Sequence, residues 1–436
     1  MTSARDDDNR YYGGSTEQAD KANKLFYERF GSFPAPPRDW RTLEDTCLWC
    51  DLVRQEIGDF SGQRVPDGGR IWVAGCGAVQ AVEVALAFPR QQVLATDISD
   101  VALDFGRSLC KQLGLTNLEI KNESMFDATY ARRFELVISR GVIHHTANPP
   151  LALQKLASAL APEGILDLTV LNRSFEGWQV LMPFQKALRI LCSSDPDDPQ
   201  LEADFAVGKA LARELEPTIH FLSRIRTFFP HFNLPDDIDQ ISDHLLGSFL
   251  SEPNMHSYTV ASFEALCRGA GLAMLGPGSL EPWIAGFSWE LDIKAPTQRA
   301  LYDALPEKQR WQMTNLLVPK QPRVLRFYAQ HLDSKFAPKT EQDITADFLG
   351  RRFAKVATTA VLHTRSDDPK GEIVGTRREQ FPVTPNEPDL VRVLEALDSE
   401  RPIRETLARL GHEDVRTLDV LRRRLTTPVC PYLRAV

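Results

Sequence analysis

The chain has 436 residues, with 51 Lys and Arg against 59 Asp and Glu, for a net charge of −8. That balance argues against a general nucleic-acid coat. No apolar stretch reaches the ~18–20 residues of a membrane span, and seven scattered cysteines fit reduced thiols in a cytoplasmic protein. The acidic start MTSARDDDNRYY has no apolar core of the kind a signal peptide needs. At about 150 residues per domain, the length suggests two or three domains.

Residues 1–69 read as an N-terminal arm. A helical pattern from Gln18 to Phe30 is followed by the Pro-rich connector Phe33 to Pro37, which cannot be helical, and then by a second helical stretch from about Leu43 to Ile57. From Arg70 short apolar runs alternate with helical patterns. The runs are Ile71–Ala74, Val93–Ala95, Leu118–Ile120, Leu136–Ile138 and Ile165–Leu171, and the helical segments are Gln80–Phe88, Val101–Leu113 and Leu151–Leu160. This rhythm predicts βαβ units on a parallel sheet covered on both faces. Residues 172 to about 256 break it with helical pattern and the interruption Ser194 to Pro199, as a helical cap inserted above the sheet would. The alternation resumes with the helix Val260–Ala270, the runs Leu272–Leu275 and Ile284–Phe287, and a last strand or packing segment at Arg323–Tyr328. A polar linker near Asp333–Asp343 precedes residues 344–436, where Leu390–Leu397, Ile403–Leu410 and Val415–Leu425 are three helical patterns of winged-helix size. The tail is nearly balanced in charge, so the acidity lies in the body.

The chemistry is concentrated after the first run of the sheet. Gly75-Cys76-Gly77 ends a strand, and a helix begins near Gln80. Glycines at such a turn let the backbone approach a ligand, and the helix start offers unpaired N–H groups. Twenty residues beyond Gly77 the next strand ends in Asp97, where a carboxylate can hold the two hydroxyls of a ribose. Both dinucleotides and S-adenosylmethionine are bound by this layout. The dinucleotide fingerprint requires a third glycine where Gln80 stands, which favours the methyl donor.

With Ser139-Arg140-Gly141-Val142-Ile143-His144-His145 after the fourth run and Leu160-Ala161-Pro162-Glu163-Gly164 one helix later, the order of motifs resembles the class I S-adenosylmethionine-dependent methyltransferases. The match is closest to a bacterial branch with a helical cap insertion and an extra C-terminal domain. The resemblance is close over residues 70–170 and looser over 258–290. It implies a Rossmann-like, doubly wound, seven-stranded α/β sheet within residues 70–333, carrying the cap and followed by a small, mostly helical C-terminal domain. It places Gly75, Cys76 and Gly77 along the methionine moiety, Asp97 on the ribose and Ile98 under the adenine. The family's acidic adenine-contacting position falls at Ser124, beside Met125, and Val79 replaces a frequent third glycine. Gln80, Ser139 and Arg140 complete the expected cofactor contacts, with Tyr11 and Tyr12 of the arm closing over them.

Methyl transfer needs alignment and exclusion of water, and needs a base only where the nucleophile is protonated. His144 and His145 are the candidates for that role, with Asp243 and Tyr258 as further catalytic candidates where the cap returns to the sheet. Trp178, Phe184, Phe228 and Phe229 read as cap core. Cys47 and Cys50 have the spacing of half a metal site but no matching pair, so no metal is expected. The expected partner is a small-molecule or protein substrate, not nucleic acid or membrane, and a homo-oligomer is compatible with the sequence. A non-catalytic nucleoside-binding or scaffold protein is the alternative from another class.

Overall fold

The computed structural model describes residues 15–31, 39–45, 53, 55–58, 65–192, 200–229, 233–278, 287–318, 322–366, 372–382, 384–426 and 431–436. Helix α1 (Thr16–Arg29) opens with a capping box: the Ser15 hydroxyl accepts the Gln18 N–H, and the Gln18 side chain accepts the Ser15 N–H. Strand β1 (Asp39–Leu43) follows. It ends at Leu43, where the expected helical stretch to Ile57 begins, and its pairing is non-local. Its residues pair antiparallel with a strand more than 300 positions away, Trp40 opposite His363 and Leu43 opposite Ala360.

The central sheet is built from β2 (Arg70–Ala74), β3 (Gln92–Asp97), β4 (Leu118–Asn122), β5 (Phe134–Arg140) and β6 (Leu160–Asn172), all parallel, with helices α2 (Gln80–Ala87), α3 (Asp100–Leu113) and α4 (Pro149–Ala159) between them. Alternate residues face opposite layers. Trp72, Val137 and Leu166 pack with α4 on one face, while Ile71, Val73 and Ile138 pack with α2 on the other.

Four helices follow β6, namely α5 (Glu176–Cys192), α6 (Leu201–Ile219), α7 (Phe221–Phe228) and α8 (Asp243–Leu250). They form a cap with its own core, which α1 joins: Phe26 and Phe30 are fully buried with Phe184, Phe205, Phe229 and Phe249. Trp178 and Phe228 pack against this cluster, as their reading as cap core requires. Gly247 admits the close approach of Phe30, since a Cβ there lies 2.6 Å from the Phe30 ring. The arm is therefore part of the roof over the sheet.

The chain re-enters the sheet through β7 (Ser257–Tyr258), which pairs with the end of β6, then α9 (Val260–Gly269) and β8 (Leu272–Pro277). Helices α10 (Pro296–Asp303) and α11 (Glu307–Leu317) precede β9 (Val324–His331), which runs antiparallel between β6 and β8. The strand order is β4-β3-β2-β5-β6-β9-β8, a Rossmann-like sheet of seven ordered strands. All of the expected segment Arg323–Tyr328 but Arg323 thus belongs to an inserted antiparallel strand. The expected run Ile284–Phe287 lies outside the described residues except for Phe287, which is in no strand.

Beyond the core, α12 (Glu341–Gly350) begins inside the expected linker. Strand β10 (Phe353–Lys355) precedes a hairpin of β11 (Thr358–Arg365) and β12 (Ile373–Phe381) that the helical reading of the tail lacks. Helices α13 (Pro388–Ala396), α14 (Ile403–Arg409) and α15 (Val415–Leu425) follow, and β13 (Leu433–Ala435) pairs with β10. The hairpin holds β1 as its third strand, so arm and tail form one small sheet. Arg423 of α15 donates to the Pro277 carbonyl at 3.0 Å and ties the tail to β8.

Candidate functional site

The order of strands reverses between β2 and β5, and a crevice opens at the carboxyl ends of strands flanking such a switch point. Gly75 and Gly77 turn the chain there with φ of +70° and +54°. A side chain at Gly75 is excluded twice, by this left-handed backbone and by Val142 methyl groups 2.5 Å from any Cβ. The Gly75 and Cys76 N–H groups donate to the Thr96 carbonyl at 2.8 and 3.0 Å, which fixes the loop against β3. Helix α2 starts at Gln80 with no side-chain cap from Val79, leaving its first N–H groups directed at the crevice.

Asp97 ends β3. One carboxylate oxygen accepts the Gly77 N–H at 2.8 Å and the other the Ser99 N–H at 3.0 Å. Burial pushes this carboxyl up, while the N–H bonds from Ser99, Gly77 and Ile98 oppose the shift. A carboxylate has about four acceptor positions, so Asp97 keeps acceptor capacity for a ribose hydroxyl. The Cys76 thiol is pushed well up by burial and by Asp97, which leaves a protonated sulfur and a backbone role.

These residues line a cavity of about 420 Å³ together with Gln80, Ile98, Ser124, Met125, Arg140 and His145. That volume falls in the roughly 300–1,000 Å³ range of small-molecule and cofactor sites. The glycine cradle, open helix start and Asp97 carboxylate fit a nucleoside-bearing cofactor.

The loop after β5 supplies the opposite wall. Its 3₁₀ turn, Ile143–His145, directs the two histidines differently. His145 reaches the cavity, and its Nδ1 lies 3.0 Å from Glu252 Oε1 and 3.0 Å from the Asn254 carbonyl. The Tyr27 hydroxyl donates to the same Glu252 oxygen at 3.2 Å, and Asn23 donates to the His145 carbonyl at 2.8 Å. Burial pushes the Glu252 carboxyl up, against the pull of His145, Tyr27 and Arg189. Arm, core and cap therefore meet at one histidine.

Several expected residues stand elsewhere. His144 is buried outside the cavity, with its carbonyl accepting the His256 N–H at 2.8 Å. Burial, with His145 and His256 nearby, pushes its imidazole well below the ordinary range and keeps it neutral. Asp243 heads α8 on the cap surface, 3.5 Å from Lys209. Tyr258 packs toward Phe263 and the core, because its backbone pairs with Asn172 at the end of β6. Ser139 is fully buried within β5. None of these four lines the cavity. Tyr11, Tyr12, Cys47 and Cys50 lie outside the described residues.

Other lining residues are not among the site residues expected from the sequence. Asp20, Asn23 and Tyr27 come from α1, Glu83 from α2 and Glu252 from the cap. Asp20 accepts the Ser124 hydroxyl at 2.5 Å, bringing a carboxylate from the arm to the place where Ser124 departs from the acidic pattern. A spacing of three and four along α1 puts Asp20, Asn23 and Tyr27 on one face, but nothing local says which surface that face meets.

This sheet order, with a glycine loop after its first strand and an acidic residue ending the second, is the arrangement expected from the resemblance to the class I S-adenosylmethionine-dependent methyltransferases. Residues 68–194 match a family model described as "Methyltransferase domain". The uncharacterized protein syc1184_c of Synechococcus sp. is 26% identical over 266 residues, 60% of each chain. The ubiquinone biosynthesis O-methyltransferase of Actinobacillus pleuropneumoniae is 23% identical over 141 residues, 31% of this chain and 57% of that one. The chain thus spans about 60% of the length of these curated relatives. The structure of PKMT2 from Rickettsia typhi in complex with AdoHcy superposes with a TM-score of 0.54 at 15% identity, covering 92% of this chain and 77% of that one, a likeness of fold. S-adenosylmethionine is the cofactor this domain implies.

Proposed function

We propose that the chain transfers the methyl group of S-adenosylmethionine by in-line displacement to a nucleophilic oxygen or nitrogen of a small metabolite or a protein. The observation that carries this reading is one cavity joining the Gly75–Gly77 loop and Asp97 to the His145–Glu252 pair beneath the cap. When bound, the cofactor supplies an already activated methyl on its sulfonium. The chain's work is then to bind, align and exclude water.

Asp97 takes the ribose hydroxyls with its open acceptor positions, and the α2 N-terminus with the glycine loop receives the methionine end. Asp20, held by Ser124, faces the adenine edge in place of the acid missing at Ser124. His145 is the base for a protonated acceptor: Glu252 at Nδ1 orients the ring and leaves Nε2 as the atom that accepts a proton. The roof of α1 and the cap shields the reaction from water. No described residue of the tail lines the cavity, which favours a metabolite over a protein presented by the tail.

Incubating the chain and a lysate with tritiated S-adenosylmethionine tests this reading. Label is expected in extractable metabolites or in protein, and is lost with Asp97→Ala. Cofactor binding without label in any fraction contradicts transfer and leaves the non-catalytic nucleoside-binding alternative.

A further inference from the structure

A second cavity of about 330 Å³ lies on the α2 face of the sheet, between α2, strands β5, β6 and β9, and the arm strand β1. It plays no part in the reading above. One region of its wall is apolar, made by Val84, Ala87, Phe88, Leu136 and Ile138. Another region is a cluster of charges inside the protein. Asp167, 2% exposed, accepts Nε and Nη2 of Arg140 at 3.0 and 2.5 Å and both nitrogens of Arg326 at 3.0 and 2.9 Å.

Asp167 is shared between two guanidinium groups, and Glu83, whose carboxyl burial pushes up, and Asp39 line the cavity as well. Arg140 uses only Nε and Nη2 on Asp167, and its Nη1 has no partner among the described residues. A second donor is also unused: the Trp40 indole N–H is buried without an acceptor, on a residue that lines the same cavity. An N–H left in that state costs free energy unless an acceptor arrives. The wall therefore offers unused N–H donors at the Arg140 and Trp40 end and hydrocarbon along α2 and β5. Glu83 and Arg140 line both cavities, so an occupant abuts the cofactor pocket.

We propose that this cavity binds an amphipathic monocarboxylate, with the carboxylate on Arg140 and the apolar body against Ala87, Leu136 and Ile138. Free acids and acids cut from a larger molecule share this chemistry. Binding requires no cofactor.

Titration calorimetry on the full chain with n-alkanoates from hexanoate to decanoate, and with n-alkylamines of the same lengths, tests the proposal without any substitution. Alkanoate affinity rises about fourfold per added CH₂ until the cavity is filled, and the amines bind at least tenfold more weakly. Ala87→Phe fills the apolar end, so decanoate affinity falls at least tenfold while that for S-adenosylmethionine stays within twofold. Amines binding as tightly as acids, decanoate indifferent to Ala87→Phe, or no alkanoate binding at millimolar concentration each overturns it.

Discussion

Glu252 Oε1 of the cap stands 3.0 Å from Nδ1 of His145 on the loop after β5. The pair closes the cavity that the glycine loop opens. A carboxylate at Nδ1 fixes one tautomer and supports positive charge on the ring when Nε2 takes a proton.

His145→Gln is expected to lower kcat by about 10²–10⁴-fold, with cofactor affinity within a fewfold of wild type. Glu252→Gln lowers kcat less, and the double variant is no worse than His145→Gln alone, because the two act as a unit. Steady-state kinetics on an acceptor found by labelling checks this. Additive losses contradict the pairing.

Gly75→Ala meets both a left-handed backbone and the Val142 methyl groups. Cofactor affinity should fall at least tenfold, consistent with a backbone cost of roughly 1–2 kcal/mol plus the clash. Adding Val142→Ala restores part of it. Calorimetry that shows no rescue assigns the loss to backbone conformation alone.

How much of this was legible in the sequence follows from how local each feature is. Gly75, Gly77 and Asp97 lie within one βαβ unit, where the turn, the helix start and the strand end are each set by neighbours in sequence. The parallel strands show as apolar runs because both their faces are buried. Strand β1 was illegible because its partner is β11, and the pairing of Trp40 with His363 leaves no trace in either segment alone. His144 and His145 are the same residue type side by side, and only the 3₁₀ turn decides which one reaches the cavity. Glu252, Asp20 and Tyr27 enter through the packing of arm and cap, so their roles depend on tertiary structure.

Asp167 makes a stability prediction. The guanidinium groups of Arg326 and the part-exposed Arg140 hold its carboxyl well below the ordinary value near 3.8. The stabilisation is present above that value and is lost as pH falls toward the folded-state value. Asp167→Asn removes the buried carboxylate that both arginines hydrogen-bond and should cost about 3 kcal/mol in urea unfolding at neutral pH. A loss under 1 kcal/mol contradicts the cluster.

Glu307 makes the opposite one. Burial and the neighbouring Glu341 push its carboxyl up from 4.5 to about 7. A raised carboxyl contributes stability that is complete below pH 4.5 and lost as pH rises through 7. Glu307→Gln should therefore match wild type at acid pH and exceed it at pH above 7, by up to ~3 kcal/mol. Denaturant titrations at the two pH values check it, and equal stability throughout contradicts the burial of an ionised Glu307.

The central claim is that Asp97 and the Gly75–Gly77 loop bind S-adenosylmethionine. Titration calorimetry of the full chain with this ligand, on wild type and Asp97→Ala, tests it most directly. Two charge-assisted bonds to the ribose predict saturable one-site binding to wild type and affinity lower by about 100-fold in Asp97→Ala. No binding to wild type, or unchanged binding in Asp97→Ala, would contradict the account.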